Sequence, residues 1–377
     1  MTLVVGIDAS RNRSGGAKAH LTGVLASSDP TRHGIGQVHI WSYRKLLDAL
    51  PERTWLIKHN PPELEGPLLR EVWWQLFSMP RELRRQRCDI LLSPDAGTVG
   101  RFEPSVVMSR DMLSYEAGEM RRYGFSAARL RLLLLKHIQA RSLRSATGAI
   151  FLTKYAAEVI QRVTGALPNI AVIPHGVGEN FRQNLPQSVL RSFVSRPVRC
   201  LYVSNTEMYK HQWHVVRAVG TLRQRGLNIM LTLAGGGSGA AQGLLDEEIG
   251  RTDPQREFTQ VIGAVTHDVV PALLAEADIF VFASSCENMP NTLLEAMASG
   301  LPIACSDRGP MPEVLDEAGV YFDPENPASI AAAIQRLVVD GDQRVLLAAR
   351  AKERAQHYSW ATCAEATWNF LRANARQ

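Results

Sequence analysis

Short apolar runs alternate with stretches of helical spacing along the whole chain. In the first half the runs are LVVGIDA, DILLSPD, SVVMS, GAIFLT and IAVIPHGV, and in the second half they are VRCLYVSN, IMLTLAGG, FTQVIGAV, DIFVFAS, LPIACSD and VYFDP. Runs of this length are typical of buried parallel strands, and the segments between them are typical of crossover helices. The pattern therefore predicts an α/β protein with two doubly wound, Rossmann-like domains.

The length of the chain agrees with two domains. Its 377 residues exceed the roughly 250 to 300 residues at which a single hydrophobic core stops growing. A less regular stretch with Pro186 and Pro197 separates the two sets of strands. We place a first domain at 1–181, a linker at 182–197, a second domain at 198–358 and a final helical segment at 359–377.

The most informative segment is residues 286–315, which predicts a loop and a helix after a buried strand. The apolar run ADIFVFASS comes first, Pro290 suits the first helical turn, and Gly300 suits the position just past the helix end. Glu287 is thus predicted on the loop at the carboxyl end of a strand, and Glu295 in the helix. Open α/β sheets bind ligands at that edge, where the free N–H groups of a helix start favour a phosphate.

The two carboxylates indicate which ligand this edge binds. A carboxylate beside a phosphate is electrostatically costly unless it binds a group of its own, and a vicinal diol can donate two hydrogen bonds to it. Glu287 and Glu295 around a phosphate site therefore predict a nucleotide-sugar site. A purely structural role for the pair is the alternative.

Composition excludes several classes of protein. No apolar run approaches the roughly 20 residues of a membrane-spanning helix, and MTLVVGIDAS reads as a first strand rather than a signal peptide. The five cysteines have no paired spacing, and no Cys/His cluster has the spacing of zinc ligands. We expect a cytoplasmic protein with reduced thiols, no metal or other cofactor, and no nucleic acid partner.

Charge is distributed unevenly along the chain. Residues 1–190 hold 25 basic and 16 acidic residues (net +9), whereas residues 191–377 hold 17 and 21 (net −4). Residues 121–157 contain no acidic residue and include the probable helix RLRLLLLKHIQARSLR. Such a helix predicts an anionic partner, either phospholipid or a lipid-linked diphosphate. The alternative is a helix whose leucines belong to the core and whose arginines are only solvated.

Two further features suggest contact with an anion. Lys210 is predicted at the start of a helix, against the preference of the helix dipole, which indicates that it binds a diphosphate; a solvated surface lysine is the alternative. Gly15 and Gly16 follow the first strand and precede a helix, where a ligand can approach the backbone closely; a simple tight turn is the alternative.

The string AGGGSG does not have the spacing of a dinucleotide-binding motif. It lacks the G-x-G-x-x-G pattern because Ala240 stands at the last glycine position, so we do not expect NAD.

The segment 286–315 resembles the signature of retaining glycosyltransferases of family 4. The shared pattern is a glutamate, seven residues, Glu-Ala-Met-Ala, then Gly-x-Pro and Pro-Glu-Val. The resemblance implies the GT-B architecture, with an interdomain cleft and a C-terminal helix that crosses back to the first domain. It implies catalytic roles for Glu287 and Lys210, cleft glycines at Gly15 and Gly16, and a donor site at Ser204, Asn205, Lys210, Gly235, Glu287, Asn288, Met289, Pro290, Asn291, Thr292 and Glu295. Arg110 and Asp111 are further candidate catalytic residues by their chemistry, Arg110 to neutralise a phosphate and Asp111 to orient an acceptor hydroxyl.

The chain departs from the family pattern in two places. The arginine that usually precedes the phosphate-binding lysine by six residues is Ser204 here. Where many relatives have a histidine near the reacting sugar, this chain has Arg110 and Asp111, which either contact substrate or form a structural ion pair. His175, near the predicted hinge, reads as structural.

The resemblance also implies an activity. The strings DASRNRSGGAKAHL, YKHQWHVV and FLTKYAAEVI are similar to bacterial mannosyl- and rhamnosyltransferases that build O-antigen or exopolysaccharide. The expected reaction moves a hexose, mannose or rhamnose, from a nucleoside diphosphate sugar, with GDP favoured, to a saccharide acceptor on a polyprenyl diphosphate at the anionic inner membrane. A GT-B epimerase or phosphorylase, or an inactive nucleotide-sugar-binding protein, are the alternatives.

Overall fold

The computed structural model describes residues 2–13, 15–182 and 196–376. The chain divides into two compact units, the first comprising Met1–Gly176 and Ser359–Gln377 and the second Val177–Tyr358. Most of the predicted linker, residues 183–195, lies outside the described residues, as does Ser14 beside the predicted cleft glycines.

The first unit is a parallel seven-stranded sheet with helices between its strands. Its strands are β1 (Leu3–Asp8), β2 (Ile35–Trp41), β3 (Leu56–His59), β4 (Ile90–Ser93), β5 (Ser105–Met108), β6 (Gly148–Phe151) and β7 (Ile170–Val172), in the order β3-β2-β1-β4-β5-β6-β7. Its helices are α1 (Gly15–Ser27), α2 (Arg44–Ala49), α3 (Leu68–Trp73), α4 (Met79–Arg85), α5 (Ala127–Ser145) and α6 (Lys154–Thr164). A π-helical segment, Trp74–Ser78, joins α3 to α4.

The second unit repeats this plan with a parallel six-stranded sheet. Its strands are β8 (Val198–Val203), β9 (Ile229–Ala234), β10 (Thr259–Gly263), β11 (Ile279–Phe282), β12 (Ile303–Ser306) and β13 (Val320–Phe322), in the order β10-β9-β8-β11-β12-β13. Its helices are α7 (Gln212–Gln224), α8 (Gly239–Thr252), α9 (Val270–Glu276), α10 (Asn291–Ala298), α11 (Met311–Leu315), α12 (Pro327–Val339) and α13 (Gly341–Ala355). The predicted fold class of two doubly wound parallel sheets is therefore confirmed.

The last helix, α14 (Trp360–Asn374), belongs to the first unit. The side chain of Ser359 caps it by accepting hydrogen bonds from the backbone N–H groups of Ala361 and Thr362. Trp368 is fully buried, and a Cβ atom on Gly23 of α1 would lie 2.3 Å from the ring of Trp360. The glycine therefore lets α1 and α14 pack closely.

The boundary between the units falls earlier in the chain than we expect from the sequence. Residues from Val177 onward belong to the second unit, whereas the first predicted domain extends to residue 181. The reason is a pair of hydrogen bonds to Tyr358, which belongs to the second unit. The N–H of Val177 donates to the carbonyl of Tyr358 over 3.1 Å, and Arg182 Nη2 donates to the same carbonyl over 2.9 Å.

Continuous burial of the strands explains why their sequences are unbroken apolar runs. Every residue of β4, β11 and β12 is buried, as expected for parallel strands covered on both faces. Among the described helices, none is both long enough and apolar enough to cross a bilayer.

Candidate functional site

The carboxyl ends of β8 and β11 bring two predicted site residues together. These strands are neighbours in the sheet, Lys210 follows β8, and Glu287 follows β11. The ammonium group of Lys210 donates a short hydrogen bond to Glu287 Oε1, and the two side chains are only 13% and 16% exposed. A cation and a carboxylate, both largely shielded from water, thus form an ion pair at the predicted ligand edge.

Backbone contacts hold Lys210 in this place. It ends a short 3₁₀ helix, Met208–Lys210, and His211 then adopts a left-handed conformation with φ of 49° before α7 begins. Tyr202 donates from its hydroxyl to the carbonyl of Lys210 over 2.7 Å. The N–H of Ser285 donates to the carbonyl of Tyr209 over 2.8 Å. These bonds tie the Lys210 loop to the Glu287 loop.

The predicted position of Lys210 in the first turn of a helix is wrong, because the left-handed residue His211 separates it from α7. Lys210 therefore does not lie at the positive end of the α7 dipole. Its charge is balanced instead by Glu287, and its ammonium group lies 5.1 Å and 5.5 Å from the ring centroids of Tyr209 and Phe282.

Glu295 has a partner that the sequence did not reveal. Its carboxylate, buried in α10, places Oε1 at 2.8 Å from His267 Nε2. This hydrogen bond raises the pKa of His267 against the opposing effect of desolvation. The other oxygen, Oε2, is buried without a hydrogen-bond partner among the described residues. One oxygen of Glu295 is therefore held in place, while the second can accept a hydrogen bond from a ligand.

A signal for His267 exists in the sequence. The string Thr266-His267-Asp268 directly follows the apolar run FTQVIGAV, so it lies beyond the carboxyl end of β10. Polar residues at that end of a parallel strand are candidates for ligand contact.

The loop before α10 contains the remaining donor residues of the β11 end. Helix α10 begins at Asn291, and Pro290 stands just before it in an extended conformation, so Pro290 is not in the first helical turn. The first-turn N–H groups of a helix have no intrahelical partner. The N–H groups of Asn291 and Thr292, in the first turn of α10, therefore lie at the same sheet edge as Lys210, and Asn288 and Met289 precede them on the loop.

The ends of β8 and β9 supply Ser204, Asn205 and Gly235. Gly235 has φ of +132°, and a Cβ atom there would lie 2.0 Å from the carbonyl oxygen of Ser204, so this position requires glycine. The hydroxyl of Ser204 donates to the carbonyl of Asn205 over 2.9 Å, and the side chain of Asn205 is exposed. The Ser204 hydroxyl is thus bound to the carbonyl of the next residue, and Asn205 faces solvent.

The other predicted residues lie in the first unit. Gly15 and Gly16 open α1, and a Cβ atom on Gly15 would meet no atom within 4 Å, so local packing does not require a glycine there. Arg110 and Asp111 follow β5. Asp111 accepts hydrogen bonds from the N–H of Leu113 over 3.0 Å and from Gln139 Nε2 over 3.3 Å.

Arg110 and Asp111 do not form the structural ion pair that was the alternative interpretation. Within the described ranges, no contact of 4.0 Å or less joins their charged atoms. Arg110 Nη1 is buried without a hydrogen-bond partner among those residues. Burial lowers the pKa of Arg110 and raises that of Asp111, and the charge of Asp95 adds to the rise for Asp111.

Asp111 lines a polar cavity of about 370 Å³ in the first unit. The other lining residues are Arg11, Arg13, Gly66, Leu68, Glu71, Asp95, Arg131, Leu135 and Gln139. The cavity is walled by guanidinium, carboxylate and amide groups with two leucines at its edge. Such a lining is suited to a polyhydroxylated ligand, which both donates and accepts hydrogen bonds.

His175 is part of a buried pair. Its Nδ1 lies 2.8 Å from Nδ1 of His20, and both rings make edge contacts with Trp360. Burial, together with the charge of Arg110, lowers the pKa of His175 to about 3. His175 is thus neutral and tied to packing between α1 and α14, as expected from the sequence.

Solved glycosyltransferase structures share this arrangement of two doubly wound units. Sucrose-phosphate synthase from Thermosynechococcus elongatus aligns with a TM-score of 0.75 at 17% identity, covering 97% of each chain. WaaG, a glycosyltransferase involved in lipopolysaccharide biosynthesis, aligns with a TM-score of 0.69 at 15% identity, covering 98% of this chain and 99% of its own. The chain therefore has the GT-B fold.

Sequence similarity narrows the class of protein from the GT-B fold to a glycosyltransferase family. Residues 197–340 match the family described as glycosyl transferases group 1. O-antigen chain mannosyltransferase B of Escherichia coli is 35% identical over 112 residues, which are 30% of this chain and 29% of that protein. Amylovoran biosynthesis glycosyltransferase AmsK of Erwinia amylovora is 31% identical over 189 residues, 47% of this chain and 46% of that protein. The matches span less than half of either relative, and the family match places a group 1 glycosyltransferase domain in the second unit.

Proposed function

We propose that this chain is a retaining glycosyltransferase of family 4 that moves a hexose from a nucleoside diphosphate sugar to a saccharide acceptor. The observation that carries the proposal is the ion pair of Lys210 and Glu287 at the carboxyl edge of the sheet. It lies in the part of the chain that matches the group 1 family, and the spacing of Glu287 and Glu295 supports family 4. Mannose or rhamnose carried on GDP is the favoured donor, in line with the similarity to the O-antigen mannosyltransferase.

Donor binding is assigned to the second unit. The unpartnered Oε2 of Glu295 accepts a hydrogen bond from the ribose diol, while His267 holds Oε1. Lys210 and the N–H groups at the start of α10 bind the diphosphate, which a helix N-terminus favours. Glu287 then orients Lys210 and contacts the transferred sugar.

The proposed chemistry needs only charge stabilisation from the protein. The bond between the sugar and the diphosphate breaks towards an oxocarbenium-like state, and Lys210 with the backbone N–H groups stabilises the departing diphosphate. The diphosphate takes the proton of the attacking acceptor hydroxyl. We propose no metal ion for this step.

Acceptor binding is assigned to the first unit. Its polar cavity contains Asp111, Asp95 and Gln139, which can position the hydroxyl groups of a saccharide. The amylovoran and O-antigen relatives are named for surface polysaccharides, and we propose an acceptor carried on a polyprenyl diphosphate at the cytoplasmic face of an anionic inner membrane.

A panel of nucleoside diphosphates and nucleotide sugars tests the proposal by thermal stabilisation, followed by product analysis with a lipid-linked oligosaccharide. Stabilisation by one nucleoside diphosphate and formation of an α-linked product from an α-linked donor are expected. Transfer with inversion would contradict the retaining assignment. Isomerisation of the donor without transfer, or binding without turnover, would replace the transferase with an epimerase or with an inactive binding protein.

A further inference from the structure

The segment formed by α3 and the π-helical turn, residues 68–77, carries an apolar face that points away from the core. Leu68, Leu69, Trp73, Leu76 and Phe77 are exposed, with Trp73 and Phe77 each at 51%. Leu69, Trp73 and Phe77 follow one another at intervals of four positions, and Leu76 lies three positions from Trp73, which puts these residues along one side of the segment. The rings of Trp73 and Phe77 lie 5.6 Å apart, so the exposed aromatic surface is continuous.

The opposite side of the same segment is fixed to the interior. Trp74 and Met79 belong to a hydrophobic cluster with Trp41 and Leu83. Gln75 is buried and donates from Nε2 to Asp8 Oδ2 over 2.7 Å. The segment cannot roll to bury Trp73 and Phe77 without breaking these contacts, so their exposure is a property of the fold.

Helix α5 adds a second apolar face. Its buried residues are Gln139, Ala140, Ser142 and Leu143, so its first three turns bury none. Leu130 and Leu134 are 69% and 61% exposed, and Phe125, just before the helix, is fully exposed. The interpretation that places these leucines in the core is therefore wrong for the first three turns.

The two faces border each other. Leu68 and Leu135 line one cavity together with Arg131, and Leu76 and Ile138 line the next one along. Residues 68–77 and 125–138 therefore contribute to the walls of the same two cavities. We call these residues together the two-helix face; the polar cavity that contains Asp111 opens between its two elements.

Basic residues lie within and next to the two segments of the two-helix face. Residues 121–157 contain no acidic residue, and Glu71, the acid within 68–77, is buried and paired with Arg13 at 3.3 Å. The basic residues of the face and its edge are Arg70, Arg121, Arg129, Arg131, Lys136 and Arg141. Exposed leucines and aromatic rings on segments rich in cations match the interface of an anionic bilayer, where rings and leucines enter the acyl boundary and cations meet phosphates.

We propose that the two-helix face docks on an anionic lipid bilayer, with Leu69, Trp73 and Phe77 from one element and Leu130 and Leu134 from the other entering the acyl boundary. Docking in this way puts the mouth of the polar cavity at the depth of the headgroups, where the saccharide of a lipid-linked acceptor is found. This role in acceptor binding rests on the proposed function. Docking adds to the electrostatic attraction of α5 an apolar contribution that salt does not screen.

Flotation with vesicles of phosphatidylcholine and phosphatidylglycerol tests the inference. At high salt, Trp73→Ser/Phe77→Ser and Leu130→Ser/Leu134→Ser should each lower the vesicle partition coefficient about tenfold or more, because each removes two large apolar side chains from the contact. Val339→Ser/Leu346→Ser is the matched control, since Val339 and Leu346 are 66% and 49% exposed in the second unit; it should bind as wild type. Quenching by lipids brominated on the acyl chain should fall in Trp73→Phe.

Two results would overturn the inference: serine variants that bind vesicles at high salt as well as wild type, or a wild-type dimer in light scattering that the same substitutions dissociate while no vesicle binding occurs. The second result would assign the face to another copy of the chain. Thermal stabilisation by nucleoside diphosphate, measured on the same variants, should be unchanged. If wild type binds vesicles but no nucleotide, the proposed function fails and the docking surface stands.

Discussion

His267 and Glu295 are joined by a 2.8 Å contact between Nε2 and Oε1 although they lie 28 positions apart. The contact links the loop after β10 to helix α10, and the second carboxylate oxygen of Glu295 is buried with no hydrogen-bond partner in the part of the chain that the structure describes. Because the pKa of His267 is raised by this bond, the pair is strongest when the imidazole is protonated. Its contribution to the free energy of unfolding is fully present below the ordinary histidine pKa of about 6.5. That contribution is lost as the pH rises through the higher pKa that His267 has in the folded protein.

Glu295→Gln should raise the KM for the donor and leave kcat much less affected. A neutral amide is a weaker acceptor for the ribose diol than a carboxylate, and a hydrogen bond to a charged group contributes roughly 1.5 to 3 kcal/mol. Steady-state kinetics with the intact donor and with donors that lack one ribose hydroxyl provide the measurement. If the deoxy donors distinguish the two proteins as strongly as the intact donor does, the diol assignment is wrong.

Lys210→Ala should weaken nucleoside diphosphate binding by about one to two orders of magnitude, the equivalent of roughly 1.5 to 3 kcal/mol for a charge-assisted contact. The substitution also leaves Glu287 without its partner. The double variant Lys210→Ala/Glu287→Gln therefore separates the lost phosphate contact from the stranded carboxylate.

Calorimetric titration measures this effect, and Arg225→Ala, an exposed cation of the same unit, is the control. Unchanged affinity in both Lys210 variants would contradict the diphosphate role. Acceptor affinity should remain that of wild type in every case.

The sequence predicted the parts of the site that depend on strand ends. Apolar runs located β8 and β11, and the residues after them, Lys210 and Glu287, are in contact because those strands are neighbours in the sheet. Strand order itself could not be read from periodicity. The adjacency of β8 and β11 is a property of the crossover connections.

Other features depended on contacts between distant segments. The left-handed conformation of His211 separates Lys210 from α7, and no residue type in MYKHQW signals it. The string LLREVWWQLF is apolar enough for either a core or a surface, and only its inner contacts, such as Gln75 to Asp8, determine which side faces out. Helical spacing likewise does not reveal how much of α5 the rest of the unit covers.

Glu248 gives the second unit an acid-sensitive contribution to stability. Although burial alone raises its pKa, hydrogen bonds from Arg217 at 2.5 Å, Arg251 at 2.6 Å and Thr252 at 2.6 Å bring the pKa to about 2. A depressed carboxyl pKa stabilises the fold above the unfolded value of about 4.5 and loses that effect as the pH falls towards 2.

Urea unfolding should therefore show Glu248→Gln to be less stable than wild type at pH 7 by roughly 1 to 3 kcal/mol, allowing for screening of the partly exposed arginines. The difference should shrink between pH 4.5 and pH 2. Glu247→Gln, at the exposed neighbouring position, should match wild type throughout. A difference that does not change with pH would exclude the ion-pair explanation.

Transfer activity should persist in excess EDTA. The proposed mechanism stabilises the departing diphosphate with Lys210 and backbone N–H groups, and none of its steps uses a metal ion. Activity lost in EDTA and restored by Mg²⁺ or Mn²⁺ would contradict this prediction.

Reversing three charges on α5 should reduce binding to anionic membranes. Arg129, Arg131 and Lys136 lie in the stretch without acidic residues, and each cation near an anionic surface contributes about 1 kcal/mol at physiological salt. Arg129→Glu/Arg131→Glu/Lys136→Glu should therefore abolish co-sedimentation with phosphatidylglycerol vesicles at low salt. Arg225→Glu/Arg336→Glu/Arg350→Glu changes the net charge equally at exposed positions of the second unit and should leave binding nearly unchanged.

Binding by wild type should increase with the fraction of anionic lipid and fall with salt to the level set by the apolar residues of the two-helix face. Charge reversal removes the electrostatic part of the binding free energy, which salt screens, and the serine substitutions remove the apolar part, which salt does not screen. Their effects on the binding free energy should therefore add. If both triple variants lose binding equally, the attraction comes from overall charge, and α5 is not the surface that meets the membrane.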